Sequence, residues 1–351
     1  LDLGNNASLI ICDYYYLSHQ RKWREKVAND ADCEVLQVES DIIVPVEVAS
    51  EKAEYAARTI RPKLQDQYKD FLNRPTQSKP KKSSIGLKVK GEDLGNIDKL
   101  AKSVGIDDSV APVSQFFQGG TAYAKKRFRT FIKELLDDYD ENRNQPQTNN
   151  VSHMSKYLHF GQISPIWLVE EITDKAGGKN VDSFVEELLV RRELAINYVY
   201  YTPGYDTFKT LPEWAHETLE EHKSDKREHQ YSRKEMDNAE THDPYWNAAM
   251  KEMKYTGYMH NYMRMYWGKK ILEWSNTPEY AYKTTITLNN RYFLDGRDCN
   301  SYANVSWVFG QHDRGWTERP IFGKVRSMKK SGLERKFDPE KYVEKVEEMV
   351  S

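Results

Sequence analysis

GYMHNYMRMYWGKKILEW, residues 257–274, is the stretch that decides how this chain folds. Met259, Met263, Tyr266, Trp267, Ile271 and Trp274 recur at helical spacing, so they form one face of a helix. Trp267 and Trp274 share that face with ~10 Å of rise between them. A packed core accounts for such a stripe as well as a cofactor wall does. The second face is less ordinary, because Asn261, Arg264 and Met265 set a polar pair beside the apolar stripe. Three neighbouring segments have the same character: THDPYWNAAM (241–250), LNNRYFLDGRD (288–298) and VSWVFGQHDRGW (305–316). Five of the eight tryptophans (Trp246, Trp267, Trp274, Trp307, Trp316) fall here, among Asn289, Asp295, Asp298, Asp313 and Arg314. Buried charge is costly without partners. The region is therefore expected to wrap a large, flat, polar-edged cofactor.

Outside that stretch, composition narrows the choices. The 351 residues suffice for a sizeable core and two domains. Charged residues make up 30%. No apolar run nears the ~18 residues of a membrane span, so no membrane partner is expected. A net charge of −2 advertises no global basic field, and any nucleic-acid binding must come from a local patch. Cys12, Cys33 and Cys299 are scattered without a CxxC, which argues against a zinc site and fits a reducing cytoplasm. The start has no signal-peptide pattern. Leu1 leads straight into LDLGNNASLIICDYYYL, and the chain is expected to begin inside a domain.

Leu9–Cys12, Cys33–Val38 and Ile42–Val46 are strand-like runs, with a helical pattern at Leu17–Asn29. This βαβ order predicts a parallel sheet of two or three strands. Ala49–Leu72 reads as helix. Residues 73–92 (NRPTQSKPKKSSIGLKVKGE) are rich in Pro, Ser and Lys and read as a linker. From Gln118 onward helical patterns dominate. Thr121 is a candidate N-cap, Ser164-Pro165 a helix start, and Asp182–Tyr200 one long helix. The expected architecture is α/β plus all-α: 1–72 α/β, 73–110 linker, 111–351 an all-helical domain.

Several constellations carry chemistry. Tyr139, Arg143, Asn144 and the Ser-rich turn 152–155 offer hydroxyls, N–H groups and a cation, which suit a diphosphate or merely cap helices. Asp295 and Asp298 flank Gly-Arg and either receive ligand donors or cap a turn and pair with Arg297. Glu187 and Arg191 stand at i, i+4, the spacing of a helical ion pair. His312 is either a general acid or a structural histidine.

Together THDPYWNA, YMHNYMRMYWGKKILEW, LNNRYFLDGRD, HDRGWTERPIFGKVR, YLHFGQIS and ELLVRREL resemble class II cyclobutane pyrimidine dimer photolyases of the photolyase/cryptochrome superfamily. The resemblance runs over nearly the whole chain. It implies a partial, Rossmann-like antenna domain followed by a helical domain that holds FAD. Its activity would be light-driven splitting of a dimer flipped out of double-stranded DNA. An antenna pigment of unspecified identity is also implied, as are a cytoplasmic location and a monomer. The alternative is a cryptochrome-like photoreceptor without repair.

By the same resemblance, Tyr139, Arg143, Asn144, Val151, Ser152, His153, Met154 and Ser155 should hold the diphosphate and adenine side of FAD. Asn197, Asn261, Arg264, Asp295 and Asp298 should line the ribityl chain and flavin. Asn289 should face flavin N5, where an amide can either accept or donate. Trp246, Trp267 and Trp274 should relay electrons that reduce the flavin. Glu187, Arg191, Met265 and Trp307 should meet the dimer, and Arg314 and Trp316 should fill the hole in the duplex. Lys324, Arg326, Lys329 and Lys330 should contact phosphates. Two positions depart from the pattern. Arg191 stands where many members carry Trp, and Asn261 where the class has Gly.

Overall fold

The computed structural model describes residues 1–73, 78–88 and 90–351. Residues 74–77 and 89 of the expected linker lie outside the described residues. Strands β1 (Leu9–Asp13) and β2 (Glu34–Val38) pair in parallel, Leu9 beside Glu34 and Asp13 beside Val38. Helix α1 (Ser18–Asp30) makes the crossover between them. The third expected strand, Ile42–Val46, is not a strand. Glu193 accepts from the Ile43 N–H at 2.7 Å and the Val44 N–H at 3.4 Å, while Pro45 has no N–H to give. A buried carboxylate thus takes the donors that a sheet ladder would have used.

After α2 (Val46–Ala49), the expected Ala49–Leu72 helix is shorter than its pattern: α3 (Ala57–Gln67) is followed by one 3₁₀ turn. The linker carries α4 (Ile97–Ser103). The helical part then runs through α5 (Thr121–Glu134), α6 (Tyr139–Asn142), α7 (Ser155–His159), α8 (Pro165–Thr173), α9 (Lys179–Val185) and α10 (Arg192–Tyr201). It continues with α11 (Glu213–Glu221), α12 (Arg233–Asp237), α13 (Pro244–Thr256) and α14 (Asn261–Trp274). The last four helices are α15 (Pro278–Tyr292), α16 (Cys299–Val308), α17 (Lys330–Glu334) and α18 (Pro339–Val350). Ser164 caps α8 with Pro165 in its first turn, as the sequence predicts. Thr121 is not a cap. Gly120 takes that place at φ 110°, its N–H held by Gln162 Oε1 at 2.8 Å.

One apolar core gathers α11 and α13–α18 around Trp246, Met263, Trp267 and Phe309. A second lies under α3, α5 and α8, and a third joins Tyr16, Ile42 and Val46 to α10 and α16. Two glycines allow α14 its position. Gly257 ends α13 at φ 68° and turns the chain into α14. Gly268 lies where a Cβ would stand 2.7 Å from Val308 Cγ2, so α14 and α16 touch backbone to side chain.

The 316–325 segment is tied down by polar contacts. The Trp316 N–H donates to Lys324 O at 2.8 Å, and Arg319 and Gly323 exchange N–H···O bonds. His222, just past α11, bonds Asp225 Oδ2 through Nδ1 at 2.6 Å and Glu318 Oε1 through Nε2 at 3.0 Å. Asp225 also accepts the Ile321 N–H at 2.7 Å. A ring with a carboxylate on each nitrogen is best served as imidazolium. Glu318 first and Asp225 second raise its pKa above 6.5.

Gly268→Ala should cost about 1–3 kcal/mol by overpacking, read by denaturant unfolding, and Val308→Ala in the same chain should restore part of it. No recovery would mean the contact is not the cause. For His222 the folded-state pKa lies above the unfolded value. Its stabilisation is thus complete below about pH 6.5 and lost as pH rises through the folded pKa. Amide exchange in 316–325, corrected for intrinsic rate, should quicken over that interval in the wild type and show no such step in His222→Gln.

Candidate functional site

From Lys179 to Tyr201 the backbone is one helix interrupted by a π turn at Glu186–Arg191. Such turns widen the spiral to i, i+5 and gather at functional sites. Here the widening separates two adjacent glutamates. Glu186 reaches Arg61 at 2.7 Å and Arg191, five residues on, at 3.2 Å. Glu187 meets Arg143 at 2.6 Å. The i, i+4 pair of Glu187 with Arg191 is therefore not formed. Arg143 also donates to Ser183 Oγ at 3.2 Å, and its guanidinium lies 5.7 Å from the centre of the Tyr139 ring. Burial pushes the Tyr139 hydroxyl up to about 12. Asn144 is half-buried beside them.

The 151–155 turn approaches from the other side. Val151 and Ser152 are half-buried, and His153 takes a left-handed φ of 59°. The His153 ring packs 4.7 Å from Tyr258, and its Nε2 meets Asn149 Oδ1 at 3.0 Å. Met154 is buried. The Ser155 hydroxyl lies beside the Asp295 carboxylate, which sets this turn next to the 293–298 loop. Arg264 grips Asp295 with two bonds of 3.1 and 3.2 Å, donates through Nε to Met259 O, and lies 3.8 Å from the Phe293 ring centre. Burial alone would raise the Asp295 carboxyl, but Arg264, Ser155 and Lys156 hold it below the usual range. Asn289 is buried nearby, its Nδ2 on Asn290 Oδ1 at 3.0 Å. Asn261 is exposed at the start of α14.

Two expected cofactor ligands have other partners. Asn197 accepts the Glu54 N–H at 2.7 Å and donates to Lys52 O at 3.0 Å, so its amide fastens the 52–54 backbone. Asp298 caps α16 through the Asn300 N–H and meets His159 at 3.1 Å. It makes no pair with Arg297, whose guanidinium turns to Asn290 O. His312 Nδ1 meets Tyr55 O at 2.8 Å and its ring packs 5.4 Å from Tyr198, while its Nε2 is buried without a partner.

The indoles form a connected path. Phe293, beside Arg264, lies 6.4 Å from Trp267. Trp246 Nε1 donates to Trp267 O at 3.0 Å, and the Trp246 and Trp274 rings are 5.6 Å apart, edge to face. All three are buried. Trp307 and Met265 are half-buried, Arg191 and Lys324 exposed. Arg326 links Trp316 (4.9 Å) to Trp307 (5.9 Å), and Arg314 lies 5.2 Å from the Trp316 ring. Lys329 and Lys330 are exposed beyond it.

Two lysines escaped the sequence analysis. Lys156 is buried against Phe117 (3.8 Å) and Tyr258 (4.9 Å), and burial lowers its pKa to about 7 despite Asp295. Lys269 is fully buried, bonded to Val308 O and 5.1 Å from the Trp307 ring, with its pKa likewise lowered to about 7. Nothing in spacing marks a lysine as buried. Only the indole-rich surroundings of Lys269 were a signal.

Two features fit a polar-edged planar cofactor. Trp267 Nε1 is a buried donor without an acceptor. Arg143 and Arg264 bring guanidinium groups to the same region, and their paired N–H donors suit the oxygens of a diphosphate.

No family model matches the chain. It is 45% identical over 346 residues to the deoxyribodipyrimidine photo-lyase of Methanothermobacter thermautotrophicus, covering 99% of this chain and 76% of that protein. To the deoxyribodipyrimidine photo-lyase of Arabidopsis thaliana it is 39% identical over 356 residues, 98% of this chain and 71% of that one. In three dimensions it resembles the archaeal photolyase of Sulfolobus tokodaii, solved with two FAD molecules, at TM-score 0.67 and 17% identity, covering 97% of this chain and 69% of that one. This chain therefore belongs to the deoxyribodipyrimidine photo-lyase family.

Proposed function

We propose that this chain repairs ultraviolet-damaged DNA in light, splitting cyclobutane pyrimidine dimers with bound FAD. One observation carries the assignment. The half-buried Arg264–Asp295 pair lies beside Ser155 of the 151–155 turn and, through Phe293, beside the Trp267–Trp246–Trp274 path. A polar clamp wired to three indoles suits a redox-active planar group. A purely signalling role draws less support, because the relatives that match over most of the chain are named for lyase activity.

Reduced FAD, when bound and excited by blue or near-ultraviolet light, supplies the electron that opens the cyclobutane ring and receives it back. The protein's own residues bind, orient and shield. Arg143, Tyr139 and the 151–155 turn would hold the diphosphate, with Arg264 and Asp295 beside the ribityl chain. Asn289 would present its carboxamide to the flavin edge. Glu187 commits Oε1 to Arg143, which leaves Oε2 to accept from a pyrimidine N–H. Met265 and Trp307 would pack on the extruded bases, Arg191 beside them, while Trp316 and Arg314 occupy the gap in the duplex. Lys324 and Arg326 would fix the backbone without reading sequence. The antenna domain would be the α/β part that carries β1 and β2. We place the enzyme in the cytoplasm, acting as a monomer on double-stranded DNA.

Irradiated DNA mixed with the purified protein should lose its dimers only under illumination. Equal loss in darkness, or none in light, refutes the proposal. Glu187→Ala should lower repair about tenfold while FAD stays bound, the scale of one charge-assisted hydrogen bond of ~1.5–3 kcal/mol. Trp267→Phe should abolish photoreduction of oxidised FAD yet spare repair by enzyme reduced beforehand. Surviving photoreduction would place the electron route elsewhere.

A further inference from the structure

We propose that Tyr55 and His312 are positioning residues for lesion recognition, clasping the 310–316 turn so that Arg314 and Trp316 stand ready for the duplex gap before DNA arrives. The inference rests on the repair function proposed above and on the place given there to that pair. Tyr55 precedes α3, far along the chain from the turn, and holds it at two points. His312 Nδ1 donates to Tyr55 O at 2.8 Å, and the Tyr55 hydroxyl donates to Asp313 O at 2.9 Å. Burial lowers the His312 pKa and keeps the ring neutral, so its single proton sits on Nδ1, where the carbonyl requires it. Among the described residues, these two bonds are the ones that join 312–315 to anything beyond the turn itself.

The support is rigid and the turn it holds is strained. Tyr55 is the exposed tip of a segment fastened from within. Asn197 bonds the Glu54 N–H and Lys52 O, and the buried Glu54 carboxylate takes the Ser50 hydroxyl at 2.6 Å and Lys63 at 2.5 Å. His312 sits at a left-handed φ of 59°, which a residue other than glycine keeps only where its surroundings enforce it. Its ring packs 5.4 Å from Tyr198 on one side while Tyr55 holds Nδ1 on the other. Asp313 passes the constraint on, because its carboxylate accepts from the Arg314 N–H at 2.8 Å and from Trp316 Nε1 at 3.2 Å. The Arg314 guanidinium in turn lies 5.2 Å from the Trp316 ring. Trp316 is thus aimed although 39% of it faces solvent. A side chain ordered beforehand loses less freedom on binding, which strengthens the complex.

The test is binding of FAD-loaded protein to a thymine dimer placed either in a duplex or in the same strand alone, which has no gap to fill. His312→Ala should weaken duplex binding about fivefold, the scale of one lost hydrogen bond, and leave single-strand binding within about twofold. Tyr55→Phe, which removes the hydroxyl bond alone, should weaken duplex binding about threefold. His312→Asn should keep most of the affinity, because asparagine tolerates the left-handed backbone and sets Nδ2 where Nδ1 stood. In a protein carrying Arg314→Ala and Trp316→Ala, adding His312→Ala should change nothing further. Unchanged duplex affinity in His312→Ala overturns the proposal, as do equal losses on both DNAs, no recovery in His312→Asn, or a full further loss in the protein without Arg314 and Trp316. If those two substitutions themselves leave duplex binding intact, the pair has no place in the gap and the clasp no role in recognition. If the wild type repairs neither DNA in light, the repair function itself falls.

Discussion

Arg264 and Asp295 are the contact on which the rest of the helical domain's geometry depends. Two nearly parallel bonds join α14 to the loop before α16. An ion pair partly withdrawn from water is best stabilised when its remaining valences are also met, and losing one partner strands the other charge. Here they are met. Arg264 Nε serves Met259 O, its flat face covers Phe293, and the Ser155 hydroxyl lies beside Asp295. The pair therefore joins the start of α14 to the loop at 293–298, with the turn at 151–155 set beside them. Around that node the Trp267 face of α14 turns inward, and the aromatic path follows from helix geometry alone.

The N-terminal part is docked by the same kind of chemistry. Arg192 donates to the backbone and carboxylate of Asp41, each at 2.6 Å. Glu193 receives the Ile43 and Val44 N–H groups, and burial lifts its pKa to about 8. Asn197 fastens the 52–54 backbone. Three polar side chains on α10 thus replace the hydrogen bonds of a third strand. Polar groups so placed demand one register, since a shifted segment would leave them unpaired in a dry interior. Meanwhile Ile11, Leu36 and Val38 of the two-stranded sheet remain exposed.

Much of this was legible in the sequence wherever local pattern and tertiary role agree. The βα unit at 9–38, the Ser164-Pro165 helix start and the indole face of α14 all satisfy period and capping rules on their own. Legibility failed where a distant side chain overrode the local signal. Ile42–Val46 has strand composition, but Glu193, far along the chain, takes its donors. Glu187 and Arg191 have ion-pair spacing, but a π turn re-aims them. Asn197 and Asp298 also hold protein partners that no pattern announces, the 52–54 backbone for one and the α16 N-terminus and His159 for the other. Lys156 and Lys269 were invisible, because no period in a sequence distinguishes a lysine that reaches solvent from one that ends against a carbonyl.

The weak net charge and the proposed DNA-facing role are reconciled by where the acids go. On the face that carries Trp316, carboxylates are withdrawn into local bonds. Asp313 accepts from Trp316 Nε1 and the Arg314 N–H, and Glu318 and Asp225 flank His222. Arg314, Arg319, Arg326, Lys329 and Arg335 are left without acidic partners among the described residues. Counterion release scales with the number of phosphates neutralised locally, not with the protein's total charge. A chain of net charge −2 can therefore present a strongly cationic wall, provided its acids are spent on holding that wall in shape. His222 does both tasks, because the two carboxylates it neutralises also anchor the segment whose arginines remain free.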